Sequence, residues 1–347
     1  MTASGFSIDR FVQICPNDGP PFLDLCRVYA KAAERLGLAA TTVFLSPSRV
    51  EPAPADNRYL DMADLRATRA LADGLRELLA DVRDSLVLCH RYRAYWAFAR
   101  SGLTAGRAVA LAHEHGFFKR RGRRLGQRVF GRGISFAGVS PTIVSELEPE
   151  VGTALHLPNA LDVETIEWSD RKQARRELGL PGEGVCIGVI GRLHYKKNPE
   201  LALDAFRSFN ERHGPAHLAV VGDGGLRQRM EERATGMPVT FTGFVRDPKR
   251  LFRAFDAVLL TSGARAFPIM VALESMAADV PVVAPRLPDA ESVLGAAGCY
   301  FDDRRIESIT AALNKAVTSG ISGAGSGRVR DGFSIDAVAG RLQQLLI

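Results

Sequence analysis

Short apolar runs alternate with stretches of helical spacing along nearly the whole of this 347-residue chain. Each run is followed by a segment long enough for a helix to return over a sheet. This order predicts βα units and parallel sheets, which places the chain in the α/β class. The predicted strands are Phe11–Cys15, Thr41–Leu45, Leu86–Cys89, Ala108–Ala112, Phe136–Val139, Leu155–Pro158, Val185–Ile190, Ala216–Val221, Val239–Thr242, Asp256–Leu260, Pro281–Ala284 and Cys299–Phe301.

The length of the chain is sufficient for two domains, each with its own core. Polar and charged residues accumulate in Asn159–Leu180, ahead of the turn ELGLPGEG, and predict a boundary there. We expect two doubly wound, Rossmann-like domains, residues 1–165 and 166–331, and a last amphipathic helix within residues 332–347. Open α/β sheets bind ligands beyond the carboxyl ends of their strands, so two facing domains would form one central cleft.

The composition is that of a globular protein, with 46% hydrophobic and 24% charged residues. A net charge of +6 favours anionic ligands, phosphates or an acidic membrane face. Five scattered cysteines without a C-x-x-C pair predict neither a zinc site nor a disulfide framework. Because neither a signal-peptide pattern nor an apolar run of ~20 residues occurs, the expected location is the cytoplasm.

An arginine and a lysine follow the predicted strand Val185–Ile190. Arg192 stands next to Gly191, and Lys197 lies five residues later at the start of a helix. At the carboxyl end of a strand, a planar guanidinium and a mobile ammonium are well suited to hold a diphosphate. An isolated pair of this spacing also suits a solvated basic loop, so the interpretation depends on the neighbouring motifs.

Glycines and one carboxylate mark the following strand ends. Gly222–Gly225 ends the next strand and opens a helix, where a bare backbone can approach an anion, although a tight βα turn favours the same glycines. Gly243 ends the strand after that. Glu274 lies inside an apolar helix, where an unpaired carboxylate is costly, so we expect a donor from the protein or a ligand hydroxyl beside it.

Together these motifs resemble the donor half of the retaining family-four glycosyltransferases with the GT-B fold. The segments that carry the resemblance are GRLHYKKN, VVGDGG, FTGFV, SGARAFPIMVALESMAADVPVVAP and PDAESVLGAAG. It is strong over Val185–Phe301 and looser over the N-terminal half. The resemblance implies retaining transfer, without a cofactor, from a nucleoside-diphosphate sugar (a UDP- or GDP-sugar) to a lipid-linked or cell-envelope glycan. It also implies that the last helix crosses back to the N-terminal domain, with closure of the second domain as the alternative.

The resemblance further implies roles for single residues. Arg192 and Lys197 would stabilise the departing diphosphate, in a chain with no D-x-D sequence to hold a metal. Glu274 would bind ribose hydroxyls, and Gly243 and Phe244 would line the base. The other predicted donor-binding residues are Gly191, Gly222, Met270 and Val271.

One position departs from the family pattern. The family has two glutamates eight positions apart, which puts the first at Ala266, or at Arg265 if the Phe-Pro dipeptide that follows guides the alignment. Neither residue is a carboxylate, so altered donor choice, compensation by another group and loss of catalysis all stay open. The second hypothesis is therefore a non-catalytic GT-B protein that binds a nucleotide or scaffolds glycan assembly. A dinucleotide-dependent oxidoreductase is disfavoured, because no G-x-G-x-x-G follows the first strand of either half.

Histidines follow two predicted strands of the first half. His90 and His113 stand at strand ends, where a hydrogen-bonded structural histidine is the general expectation. The resemblance implies instead that His113 is catalytic and contacts the transferred sugar, with His115 as the competing position.

The segment Lys119–Arg132 interleaves seven cations with apolar residues at helical spacing. It suits either an anionic leaflet or the phosphate of a lipid-linked acceptor, and a solvated basic helix is an equal alternative. Peripheral contact with the inner face of the cell membrane is therefore an expectation beside the cytoplasmic location. Nucleic acid is not an expected partner, because no binding motif is present and the charge is concentrated in one segment.

Overall fold

The computed structural model describes residues 7–19, 21–49, 52–267, 269–319 and 323–346. These residues form two compact units. The first runs up to Leu161 and resumes at Ser334, and the second runs from Asp162 to Phe333. Each unit contains one parallel sheet with helices, so the prediction of two Rossmann-like α/β domains is confirmed.

The sheet of the first unit has seven parallel strands. They are β1 (Arg10–Cys15), β2 (Ala39–Phe44), β3 (Asn57–Tyr59), β4 (Val82–His90), β5 (Ala105–Ala112), β6 (Ile134–Gly138) and β7 (Ala154–His156). Their order in the sheet is β3-β2-β1-β4-β5-β6-β7. The order reverses between β1 and β4, and such a switch point is where open α/β sheets bind ligands. The sequence did not predict β3, because it is a three-residue strand without an apolar run, NRY.

Five helices of this unit lie in the described residues that precede residue 161. They are α1 (Phe22–Arg35), α2 (Thr68–Leu79), α3 (Arg91–Ser101), α4 (Arg121–Phe130) and α5 (Pro141–Val151). In α1 the buried residues Leu25, Val28, Tyr29 and Ala32 recur at helical spacing, which explains why this segment folds as an amphipathic helix on the sheet.

The sheet of the second unit has six parallel strands. They are β8 (Val185–Ile190), β9 (Ala216–Val221), β10 (Val239–Gly243), β11 (Ala257–Leu259), β12 (Val282–Pro285) and β13 (Gly298–Phe301). Their order is β10-β9-β8-β11-β12-β13, with the switch point between β8 and β11. Ile187, Leu218, Val220 and Leu259 are buried in a core with Phe206, as the near-continuous apolar strands of a sheet covered on both faces require.

The described ranges of the second unit contain seven helices. They are α6 (Arg171–Glu177), α7 (Pro199–His213), α8 (Arg227–Arg233), α9 (Ile269–Ala277), α10 (Pro288–Leu294), α11 (Ile306–Ser319) and α12 (Ala324–Gly332). Within the described ranges, none of the protein's helices is both long and apolar enough to cross a membrane.

The last helix, α13 (Ile335–Leu346), belongs to the first unit. It packs against α1, and Arg35 of α1 forms an ion pair with Asp336 of α13. Val338 and Leu342 of α13 are fully buried. The chain therefore returns to its first unit after completing the second.

Candidate active site

The loop after β8 carries the two predicted phosphate-binding cations. Gly191 has a φ of 136°, a backbone conformation that favours glycine and turns the chain away from the strand. Arg192 is exposed, and its guanidinium has no hydrogen-bond or ion-pair partner among the described residues. A short 3-10 turn, Tyr195–Lys197, then leads into α7 at Pro199, whose fixed φ suits a first helical turn.

Lys197 is held by groups that follow β11, the neighbouring strand. Its Nζ donates to the carbonyl oxygen of Ala266 at 2.6 Å. The Thr261 hydroxyl donates to the carbonyl oxygens of Lys197 at 3.0 Å and Asn198 at 2.8 Å, which fixes the loop to the end of β11. Burial lowers the pKa of Lys197 to about 8, so the ammonium is charged at pH 7 and titrates in the mildly alkaline range.

A pocket lies at this switch point, between the ends of β8 and β11. Its lining includes Gly191, Arg192, Lys197, Thr261 and Ser262. Arg192 and Lys197 are thus brought together within the second unit, where a sheet of this order binds ligands. Neither forms an ion pair with a carboxylate in the described part of the chain, so both positive charges are left uncompensated.

Gly222 is required by the packing of two loops. It has a φ of 133°, and a Cβ at this position would lie 2.1 Å from the carbonyl oxygen of Gly191. The Gly222 N–H donates to the carbonyl oxygen of Gly243 at 2.9 Å, and the Gly191 N–H donates to the carbonyl oxygen of Val221 at the same distance. The loops after β8, β9 and β10 are therefore joined backbone to backbone. This contact accounts for the glycine without a ligand, and the donor-binding role of Gly222 stays a prediction.

The other predicted donor-binding residues lie on β10 and α9. Gly243 ends β10 with a φ of 73°, and Phe244 directly after it is 75% exposed, which leaves an aromatic face open to solvent. Met270, Val271 and Glu274 are half-buried on one side of α9, because residues three and four positions apart are neighbours on a helix.

In the first unit, His90 and His113 form a hydrogen-bonded pair at the ends of β4 and β5. His90 Nδ1 lies 3.0 Å from His113 Nε2, and His90 Nε2 lies 3.1 Å from Gln13 Oε1. The Gln13 amide nitrogen donates to the Cys26 carbonyl oxygen and to the Thr42 hydroxyl, so Gln13 Oε1 accepts from His90 Nε2. His90 Nδ1 then accepts from His113, which fixes the neutral His113 tautomer with its hydrogen on Nε2.

Both imidazoles are held neutral at pH 7. Burial lowers the pKa of His90 to about 3. Burial lowers the pKa of His113 well below its usual range, and the neighbouring His90 and Arg91 lower it further, against the effect of a side-chain hydrogen bond to Asn159. His113 therefore offers a ligand a neutral imidazole and not a cation.

Two residues around His113 were not predicted from the sequence. Gln13 sets the tautomer through His90, and its signal was a glutamine inside the apolar run FVQIC. Asn159 follows β7 and bonds to His113, while its Oδ1 is buried without a hydrogen-bond partner in the described ranges. The competing residue, His115, is bound at 2.8 Å to the carboxylate of Glu146 on α5.

The predicted basic segment forms α4, whose inward face packs on α3. The Arg123 guanidinium lies 4.0 Å from the centroid of the Tyr92 ring. A Cβ on Gly126 would lie 2.4 Å from the Trp96 ring, so only glycine allows this close approach of the two helices. Phe130 contacts Trp96 edge to face.

The outward face of α4 is apolar and flanked by cations. Leu125 is 65% exposed and Val129 is 57% exposed. At 100° per residue, Arg121 and Arg128 project within about 60° of Leu125 around the helix. Exposed apolar residues of this kind between cations are typical of helices that lie on an anionic surface.

These features define the class of the fold. The chain superposes on sucrose-phosphate synthase from Thermosynechococcus elongatus with a TM-score of 0.76, over 97% of this chain and 98% of that chain, at 16% sequence identity. It superposes on Anabaena HepE, solved in complex with UDP and glucose, with a TM-score of 0.75 over 97% and 99% of the two chains, at 17% identity. At these identities the likeness shows the fold alone, and the predicted GT-B fold is confirmed.

Sequence comparison gives a match to a family model. Residues 184–319 match the family described as glycosyl transferases group 1, in agreement with the resemblance of Val185–Phe301 to glycosyltransferases. The GDP-mannose-dependent α-(1-6)-phosphatidylinositol dimannoside mannosyltransferase of Mycobacterium tuberculosis is 28% identical over 165 residues, which are 47% of this chain and 43% of that enzyme. The D-inositol 3-phosphate glycosyltransferase of Acidothermus cellulolyticus is 24% identical over 371 aligned residues, covering 92% of this chain and 76% of that enzyme. The chain thus spans less than half the length of the first relative.

Proposed function

We propose that the protein is a glycosyltransferase that moves a sugar from a UDP- or GDP-sugar to a lipid-linked or cell-envelope glycan. The observation that carries this proposal is that Arg192 and Lys197 line one switch-point pocket and have no carboxylate partner among the described residues. The leaving diphosphate gains charge in the transition state, and preorganised cations stabilise that charge. One relative is named as GDP-mannose-dependent and one similar structure holds UDP, which supports a nucleotide-sugar donor with either base.

The reaction breaks the bond between the anomeric carbon and the diphosphate oxygen and forms a bond from that carbon to the acceptor hydroxyl oxygen, whose proton passes to the departing diphosphate. Arg192 and Lys197 supply the positive charge that a divalent ion supplies in other transferases, so transfer is proposed to proceed without a metal. Among the described residues, no three His, Cys, Asp or Glu side chains are grouped as metal ligands. Retention at the anomeric carbon is part of the proposal and rests on the family resemblance.

Other residues would bind the donor without stabilising the charge of the leaving diphosphate. The exposed ring of Phe244 offers a face for the base, and Glu274 would accept hydrogen bonds from the ribose hydroxyls. Met270 and Val271 lie beside Glu274 on α9. His113, held neutral, would contact the transferred sugar.

Sugar transfer and donor hydrolysis by the full chain test this function. A screen of UDP- and GDP-sugars should find one donor that is consumed, and the anomeric configuration of the product, read by NMR, tests retention. Arg192→Ala and Lys197→Ala should each lower the rate about 100-fold to 1,000-fold, as lost transition-state donors do elsewhere. Lys196→Ala is the matched control, because this exposed lysine belongs to the same turn but does not line the pocket. Equal rates in the parent and the double alanine variant would contradict the phosphate assignment.

A nucleotide-binding GT-B protein without transferase activity is the second candidate. It is favoured by the absence of a carboxylate at both Arg265 and Ala266. The bond from Lys197 to the Ala266 carbonyl oxygen places this position beside the proposed phosphate site. An inactive parent that binds nucleotide would support this candidate.

We further propose that α4 brings the protein to the inner, anionic face of the cell membrane from the cytoplasm. Leu125 and Val129 would enter the interface, while Arg121 and Arg128 pair with lipid phosphates. Each cation near an anionic surface contributes about 1 kcal/mol, so the contact would be reversible and sensitive to salt.

A further inference from the structure

Four arginines of the first unit line one cavity, and none of them pairs with a carboxylate among the described residues. The cavity has a volume of about 760 Å³, lies between α2, α3 and the start of α4, and is bordered by Arg66, Arg93, Arg120 and Arg123. Its size is within the range of small-ligand sites, which runs from about 300 to 1,000 Å³. The cavity is distinct from the outward face of α4, which is formed by other residues.

In the described part of the chain, these arginines form no ion pair with a carboxylate. Arg93 donates to the carbonyl oxygen of Leu65, and Arg123 donates to the carbonyl oxygens of Gly116 and Phe117 at 3.3 and 3.0 Å. The guanidinium of Arg120 has no partner in the described part of the chain. Backbone carbonyls orient a guanidinium without cancelling its charge, so the cavity is strongly electropositive.

Two neighbouring arginines, in contrast, are paired with carboxylates. Arg91 pairs with Glu114 at 2.6 Å, and Arg124 pairs with Glu150 at 2.8 Å. Burial and the nearby charges of Arg120 and Arg93 lower the pKa of Arg123, against the effects of Tyr92 and Glu114. A bound anion would offset the repulsion between these like charges.

The first turn of α4 adds to the positive field. Gly122 lines the same cavity, and this turn contains no acidic residue. The free N–H groups at a helix start attract anions, in addition to the guanidinium groups that already point there. Leu71, Trp96 and Ala97 line another part of the cavity, so the ligand combines an anionic group with a less polar one.

The cavity adjoins the pocket that contains His113. That second pocket has a volume of about 260 Å³ and lies at the switch point of the first sheet. Leu65, Tyr92, Arg93 and Arg123 line both spaces. A ligand with its phosphate on the arginines could therefore extend toward His113.

We propose that this cavity binds a phosphate or diphosphate group of the acceptor substrate. A guanidinium fork matches two phosphate oxygens, and several forks suit the charge of a phosphate better than that of a single carboxylate. This inference rests on the proposed transferase function for the word acceptor, but phosphate binding at the cavity can be tested by itself.

Inorganic pyrophosphate is the probe, titrated by calorimetry into the full chain. The chain carries Arg192→Ala and Lys197→Ala, so the proposed donor site does not contribute. In this background Arg120→Gln and Arg93→Gln should each weaken binding roughly tenfold or more, since each removes a charge-assisted contact. Arg58→Gln is the matched control, because Arg58 is also an exposed arginine of the first unit that donates to a backbone carbonyl oxygen. It lines neither cavity and should leave binding unchanged.

Arg120→Gln keeps the test valid if Arg93→Gln fails to fold, because the Arg120 side chain forms no hydrogen bond or ion pair with the described residues. Absence of pyrophosphate binding in the background chain overturns the proposal, as does an equal loss with Arg58→Gln. Competition by a soluble hexose phosphate identifies a soluble acceptor, and competition by phosphatidylglycerol vesicles but not by phosphatidylcholine vesicles identifies a lipid phosphate. If the parent binds nucleotides normally but the background chain does not bind pyrophosphate, only this inference is lost. If the background chain binds pyrophosphate but the parent does not bind nucleotides, only the assignment of the donor site is lost.

Discussion

The affinity for a nucleoside diphosphate should fall about tenfold between pH 7 and pH 9, because Lys197 loses its proton in this range. Burial lowers its pKa to about 8. Its Nζ donates to a carbonyl oxygen, which is neutral and does not offset this effect as a carboxylate would. With this pKa the ammonium is about nine-tenths charged at pH 7 and about one-tenth charged at pH 9. If only the charged form binds the diphosphate, the loss is about 1.4 kcal/mol.

Calorimetric titration of UDP and GDP at the two pH values measures this loss. The terminal phosphate of the nucleotide, with a second pKa of about 6, is ionised at both pH values and does not account for a change. Lys197→Met should bind weakly and equally at both, because it carries no titrating group. Lys197→Arg should bind with little pH dependence, because a guanidinium stays protonated. An unchanged affinity of the parent, or the same pH dependence in Lys197→Met, would refute the assignment of Lys197 to the phosphate.

Three further predictions concern other parts of the molecule. Gly222→Ala should lower the free energy of unfolding by about 1–3 kcal/mol in urea titrations, whereas Gly225→Ala, whose Cβ would enter open space, should change it little. If the enzyme has compensated for its missing carboxylate, Ala266→Glu should be neutral or harmful to transfer; rescue of an inactive parent would instead support the non-catalytic candidate. Arg121→Gln with Arg128→Gln should reduce co-sedimentation with anionic vesicles at low salt, and equal sedimentation with neutral vesicles would favour a solvated helix.

The sequence predicts the strands well because a sheet covered on both faces needs apolar runs, and such runs are visible one by one. Twelve predicted strands correspond to β1, β2 and β4–β13 within a few residues. The edge strand β3 escapes prediction, because Asn57–Tyr59 has only three residues and no apolar run. The loop after β8 was predicted to hold Arg192 and Lys197 at one strand end, and the two residues do share a pocket.

The features that could not be predicted from the sequence depend on contacts between residues that are far apart in the chain. Gln13 is 77 positions from His90, so the tautomer of His113 depends on contacts between distant strands. Gly222 must be glycine because the carbonyl oxygen of Gly191, on another loop, leaves no space for a Cβ. The sequence alone suggests only a tight turn at this position, which also favours glycine. Lys197 likewise finds its carbonyl partner at Ala266 only after the sheet has formed.

Nucleotide binding by the parent and by the Arg192→Ala, Lys197→Ala double variant tests the central claim most directly. Titration of UDP and GDP at pH 7, with Lys196→Ala as control, should show one nucleotide bound by the parent and the control, and at least about 100-fold weaker binding by the double variant, since two charged hydrogen bonds are lost. The same affinity in the parent and the double variant would show that the pocket between β8 and β11 does not hold the diphosphate.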